Sequence, residues 1–236
     1  MKKIAIVALC FTLSNVSYAG TMGSMAVCDN KPKENFYAGV GIGGTFNSDT
    51  SKVTSVPNNN ATSVTNSPSQ TVGNVYIGYG HTFMDKLFLG IEANTYFPGH
   101  TDNFTNPGVS NAAVSKNYYS EQYTFKDYLG LDLLPGLRFN PNTLIYARTG
   151  LSFRDINISQ NSTATPSSDS FYNAGHSMGG RFGAGVAYGL SKNIGIAVDY
   201  FYTYYPTFGS YWSIYNLQFN MTSNQNYVGA SLIYTA

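Results

Sequence analysis

Leu134-Pro135-Gly136-Leu137-Arg138-Phe139-Asn140-Pro141-Asn142-Thr143-Leu144-Ile145-Tyr146-Ala147-Arg148 is the stretch whose reading decides the fold. On its first arm Leu137 and Phe139 alternate with Gly136 and Arg138. On its second, Ile145 and Ala147 alternate with Tyr146 and Arg148. A period of two marks strands with one apolar face, and Asn140-Pro141-Asn142 is the tight turn between them. Met84-Asp85-Lys86 and Ser191-Lys192-Asn193 are two more tight turns. Long polar stretches at about 47–71, 98–122, 155–177 and 206–217 lie between and around the three.

Short turns at one end and long loops at the other suit an antiparallel, up-and-down barrel across a membrane. A soluble sandwich has no reason to alternate them. Composition agrees. Charged residues make up 11% of the chain, while Tyr (20), Phe (15) and Gly (24) abound. A water-soluble surface normally carries about a quarter charged residues. No apolar window long enough for a membrane-spanning helix follows residue 19. The fold class expected is therefore all-β: a membrane-spanning barrel of about eight strands with short periplasmic turns and long extracellular loops.

Eight strands are expected, at 35–46, 73–83, 87–97, 123–139, 143–154, 178–190 and 194–205, and at the chain end around 227–234. The outward stripes are Val, Ile, Leu and Ala in the middle and aromatic at both ends. Phe83, Phe139, Tyr188 and Tyr234 mark the tight-turn side. Phe46, Phe97, Phe125, Phe153 and Tyr202 mark the long-loop side. Such girdles are expected at the two lipid interfaces. Pro135 lacks a backbone donor and predicts a bulge or a break in the ladder. Leu217, Phe219 and Met221 sit on the opposite parity to Val228, Ala230 and Leu232. Either a bulge lies between 221 and 227 or the last strand starts late.

The inward stripes are rich in Gly with scattered charges: Glu92, Lys126, Asp132, Arg138, Arg148, Arg154, Arg181 and Asp199. An eight-stranded barrel has an interior that side chains can fill, so these charges are expected to pair across the lumen. Counted from the tight turns, Glu92, Arg148 and Asp199 stand at similar height.

Lys2 and Lys3, the apolar run Ile4 to Leu13 and Ser17-Tyr18-Ala19 read as a secretory signal over 1–19, cut near Ala19. Residues 20–34 are then an N-terminal periplasmic segment and 35–236 the barrel. A lipoprotein site at Cys10 is disfavoured by Leu9 immediately before it. Removal of Lys2 and Lys3 takes the 13 basic residues to 11 against 12 acidic. No field suited to nucleic acid results. Cys28 is left as the single cysteine, without an intrachain partner.

The organisation resembles the small eight-stranded outer-membrane barrels, the class of the outer-membrane protein A transmembrane domain and the opacity-type surface proteins. Phe36-Tyr37-Ala38-Gly39-Val40-Gly41, the 134–148 stretch and Tyr227 to Tyr234 carry the resemblance, over about 35–236. It implies a bacterial outer-membrane location, contact with outer-membrane lipid and lipopolysaccharide, and insertion by the outer-membrane assembly machinery, which reads the last strand. Here the chain ends Tyr234-Thr235-Ala236, with Ala where the family usually has Phe.

Two motifs mimic chemistry. Gly175-His176-Ser177-Met178-Gly179 matches the nucleophile pattern G-x-S-x-G, but that motif needs a following helix. In a strand His176 and Ser177 point to opposite faces. Gly39-Val40-Gly41-Ile42-Gly43-Gly44 matches a dinucleotide fingerprint by letter, again without the helix that receives the phosphate. His81, His100 and His176 show no metal-ligand spacing, and no cofactor is expected. The function expected is a non-enzymatic surface barrel with an envelope-structural or adhesive role, its loops contacting host surface molecules. A narrow pore gated by the lumen charges is the alternative, and a lipid-modifying enzyme stands third.

Overall fold

The first and last strands pair with each other, and that pairing closes the sheet. In the computed structural model, which describes residues 33–56, 59–106, 119–162, 170–212 and 217–236, β1 (Lys33–Ser55) runs antiparallel to β10 (Leu217–Thr235), from Tyr37↔Thr235 to Ser55↔Leu217. Between them lie β2 (Asn60–Asn66), β3 (Ser69–Phe83), β4 (Leu87–Phe97), β5 (His100–Asn106), β6 (Tyr119–Asn140), β7 (Thr143–Ser162), β8 (Ser170–Gly189) and β9 (Ile194–Trp212). Eight of the ten form the closed wall. β2 prolongs the line of β3 along β1, and β5 prolongs β4 along β6. Pro68 and Pro98 sit at the two breaks, where a missing N–H interrupts the ladder. Cys28 and the expected signal segment 1–19 lie outside the described residues.

The three tight turns stand where the sequence places them. Met84 and Asp85 both have positive φ, 48° and 60°, and the Lys86 N–H donates to the Phe83 carbonyl at 3.1 Å, a turn whose handedness matches the twist of the flanking strands. The Asn142 N–H donates to Asn140 Oδ1 at 2.9 Å and steadies the second turn.

Alternation separates two faces. Outward Ile42, Leu131 and Val198 are exposed at 64, 46 and 55%. The contiguous apolar band they belong to, far larger than a soluble monomer shows, is the lipid face. Phe83, Phe139, Tyr188 and Tyr234 rim it at the tight-turn end, and Phe46, Phe97, Phe153 and Tyr202 point outward at the other.

Phe125 does not belong to that rim: it is fully buried inside the barrel. Lys126, expected inside, is exposed on the outside. One irregularity explains both. Lys126 pairs with Asp155 but Leu129 pairs with Phe153, so β6 takes three steps where β7 takes two. The extra residue inverts parity above it. Pro135 has a smaller effect. The pairing to β7 resumes at Gly136↔Tyr146 in the register of Leu133↔Thr149.

Within the described residues the polar stretches are largely strand rather than loop. β1, β6, β7, β8, β9 and β10 continue well past the apolar band. Outside it, hydroxyl pairs such as Thr50–Thr65 (2.9 Å) and Thr101–Thr124 (3.2 Å) bridge adjacent strands. Such cross-strand pairs hold a sheet whose outer face meets water. Likewise β10 begins at Leu217 and keeps one parity throughout. Leu217, Phe219 and Met221 point inward and help fill the upper lumen. The register shift between Met221 and Ser223 falls on the β9 side, where Phe208 and Tyr205 flank Pro206.

Candidate functional site

The lumen is built in layers. Nearest the tight turns, Tyr76, Leu134, Leu144, Tyr146 and Ile233 form an apolar layer around a cavity of about 50 Å³. Above the midplane, Tyr96, Tyr123, Phe125, Ile156, Phe201 and Tyr227 belong to a second apolar cluster. Between the two lies a layer of charge.

Arg148 on β7 organises that layer. Its Nη1 donates to Glu92 Oε1 and to Asp132 Oδ2, both at 2.7 Å, and its Nη2 to Asp199 Oδ1 at 3.2 Å. Arg181 on β8 donates through Nη1 to Asp132 Oδ2 at 3.1 Å and Asn94 Oδ1 at 2.7 Å, and through Nη2 to Ser152 Oγ at 3.1 Å. Three carboxylates thus face two guanidinium groups. Tyr146 and Tyr37 supply neutral donors to Asp199 (2.7 Å) and Glu92 (3.2 Å). All five charged groups are buried, so each depends on the others for the solvation it has lost. Both cations face the Phe201 ring, Arg181 at 4.4 Å and Arg148 at 5.8 Å from its centre.

Glycine makes room for this layer. A Cβ on Gly130 would lie 2.3 Å from Arg181 Nη1, and one on Gly185 would lie 2.6 Å from Asp199 Oδ1. The inward glycine stripes therefore leave paths along which long side chains cross the lumen. A second cavity, about 10 Å³, borders Glu92, Arg148 and Asp199, room for about one water.

The remaining sequence candidates stand apart. Arg138 is half-buried near the tight-turn end and donates to Thr82 Oγ1 at 3.0 Å. Arg154 is buried higher up, 3.6 Å from the Tyr205 ring centre and 4.2 Å from that of Phe125. Lys126 is outside. Asn94, Ser152, Tyr37 and Tyr146 were missed as members of the charge layer, although they share the inward parity of the residues that were named. In the Gly175–Gly179 stretch Ser177 points inward, while exposed His176 meets Asp155 at 2.5 Å on the outside.

Above the lipid band a third group assembles that no spacing announced. Asp49 from β1 meets His100 and Asp102 from β5. Asp49 Oδ2 is 3.4 Å and Asp102 Oδ2 3.8 Å from His100 Nε2. All three residues are buried. Burial opposes charge on Asp49, yet its hydrogen-bonding neighbours His100 and Asp102 outweigh burial and hold its carboxyl below the ordinary range. Asp102 is pushed up to about 8 by burial, with Asp49 beside it adding to the rise.

A family model described as outer membrane protein beta-barrel domain matches residues 16–232. No curated protein matches the chain. Among solved structures, Ail, the attachment invasion locus protein of Yersinia pestis, aligns at 13% identity over 84% of this chain and 98% of its own, with a TM-score of 0.37. The Escherichia coli outer membrane protease OmpT aligns at 8% identity over 90% of this chain and 100% of its own, with a TM-score of 0.49. The N-terminal β-barrel domain of Pseudomonas aeruginosa OprF aligns at 11% identity over 86% and 100%, with a TM-score of 0.38.

Proposed function

The chain belongs to the outer membrane protein beta-barrel domain family, and from that premise we propose that it is a sealed, non-enzymatic element of the bacterial outer membrane that lifts polar hairpins above the lipid surface to meet external molecules. The observation that carries this reading is the binding of Arg148 to Glu92, Asp132 and Asp199 at once. A guanidinium held by three carboxylates from three strands bars the narrow lumen at its midplane. Apolar layers above and below support the same reading. The separation of His176 from Ser177 across the wall speaks for a non-enzymatic role. The extended strands outside the lipid band carry Asn, Ser and Thr side chains, which supports a reading in which host surface molecules and lipopolysaccharide are met there.

The narrow pore is the second reading, favoured by the cavities that flank the charge layer. Proteoliposomes separate the two. A sealed barrel releases small sugars no faster than lipid alone, whereas a pore releases them in proportion to protein. The surface assignment is tested by protease added to intact cells. Cutting is expected within 47–71, 98–122 or 155–177, and cutting confined to 84–86, 140–142 or 191–193 contradicts it.

A further inference from the structure

Asp49 and Asp102 each leave a buried carboxylate oxygen, Oδ1 and Oδ2 respectively, without a hydrogen-bond partner. Asp49 is fully buried and Asp102 only 3% exposed. Buried acceptors are normally satisfied; a proton on Asp102 can serve one of these oxygens, and a cation bound between the carboxylates serves both. His100 closes the gap only in part, through the long contact of its Nε2 with Asp49 Oδ2. A protonated imidazole bonded to a carboxylate draws in to about 2.7–2.9 Å, but Nε2 stands 3.4 and 3.8 Å from the two oxygens. The shorter separation is that of ligands sharing an ion, and the longer lies a little outside it. Atoms held at about 2.0–2.2 Å around a tetrahedral zinc stand about 3.3–3.6 Å apart. The three ligand atoms all lie within 4.8 Å of one another.

The surroundings fit a ligand set. The Tyr128 hydroxyl lies 2.9 Å from His100 Nδ1. If Nδ1 carries the proton, Tyr128 accepts it and the Nε2 lone pair faces the carboxylates. Metal-bound imidazoles usually have such an outer partner. Phe125 stacks on the same ring at 4.5 Å and fixes its plane. His100 and Asp102 are two apart on one strand and therefore share a face, while Asp49 arrives from β1 across the mouth.

We propose that the outer mouth of the barrel binds one divalent transition-metal ion, held by Asp49, His100 and Asp102. One imidazole and two carboxylates suit zinc or manganese better than calcium or magnesium, which prefer all-oxygen shells. The ion ties β1 to β5 above the lipid, and the site stands whether or not the lumen conducts.

The test titrates zinc chloride alone into the full barrel, refolded in detergent and stripped with a chelator, by calorimetry. One zinc per barrel is expected. Uptake is lost in His100→Gln and kept in His176→Gln, which removes the exposed His176–Asp155 pair. Tyr128→Phe keeps the ligands and weakens zinc about 10–100-fold. The heat-sensitive shift in gel mobility reports folding of each variant. Should His100→Gln fail to fold, X-ray absorption of cobalt(II) bound to the unaltered barrel decides, with a single imidazole ligand expected. Absence of stoichiometric zinc uptake, uptake undiminished in His100→Gln, or cobalt without an imidazole ligand overturns the proposal.

Discussion

Midway through the lumen three carboxylates surround two guanidinium groups; at the outer mouth two carboxylates surround one imidazole. Both groups are buried, and both draw residues from strands far apart in the chain. In the middle layer every carboxylate has a charged donor within 3.2 Å. At the mouth the nearest side-chain nitrogen is at 3.4 Å and oxygens are left over. In the middle layer the opposite charges meet within the protein, although Asp132 Oδ1, Arg148 Nε and Arg181 Nε are left over there as well; on the reading proposed above, this layer plugs the lumen. At the mouth, on the proposal above, a bound cation completes the balance of charge.

The comparison breaks most visibly at Arg148. Arg148→Ala strands two buried carboxylates, Glu92 and Asp199, leaves Asp132 with Arg181 alone, and is expected to lower stability by about 3–5 kcal/mol, read from urea unfolding in lipid vesicles. A loss within experimental error means that water already solvates the layer and that the plug is open. Next in size is the lipid face at the same height. Leu131→Arg or Val198→Arg places a charge near the midplane and is expected to cost about 2–4 kcal/mol. A neutral result at Leu131 means that it does not face lipid.

Parity along each strand explains what could be read in advance. Glu92, Asp132, Arg148, Arg181 and Asp199 were legible because each lies on a strand with an unbroken period of two and an apolar opposite face. Phe125 and Lys126 were not, because one inserted residue at 127–128 inverts the pattern and nothing local in the sequence marks it. The polar stretches read as loops for a related reason. Beyond the lipid the outer face turns polar and the inner face mixes apolar residues such as Phe104 and Ile158 with polar ones, so the alternation that reveals a strand is blurred, although Thr and Tyr still favour sheet. The mouth cluster was invisible for a different cause. Asp49 and His100 are 51 positions apart and meet only in the folded sheet, where β2 lies between their strands.

Smaller effects sharpen the contrast between faces. A Cβ at Gly183, facing inward, would lie 2.1 Å from the Tyr200 carbonyl oxygen, whereas one at outward Gly180 meets nothing within 4 Å. Gly183→Ala is expected to cost about 1–3 kcal/mol through overpacking, and Gly180→Ala to fall within about 0.5 kcal/mol of the parent. Equal costs in the same unfolding assay contradict the assignment of faces.

The central claim is that the charge layer closes the lumen, and conductance of the unmodified protein in a planar bilayer tests it most directly. Small, rare openings are expected, with openings more frequent in Arg148→Ala. A large, steady conductance in the unmodified barrel contradicts the sealed wall and makes the protein a pore.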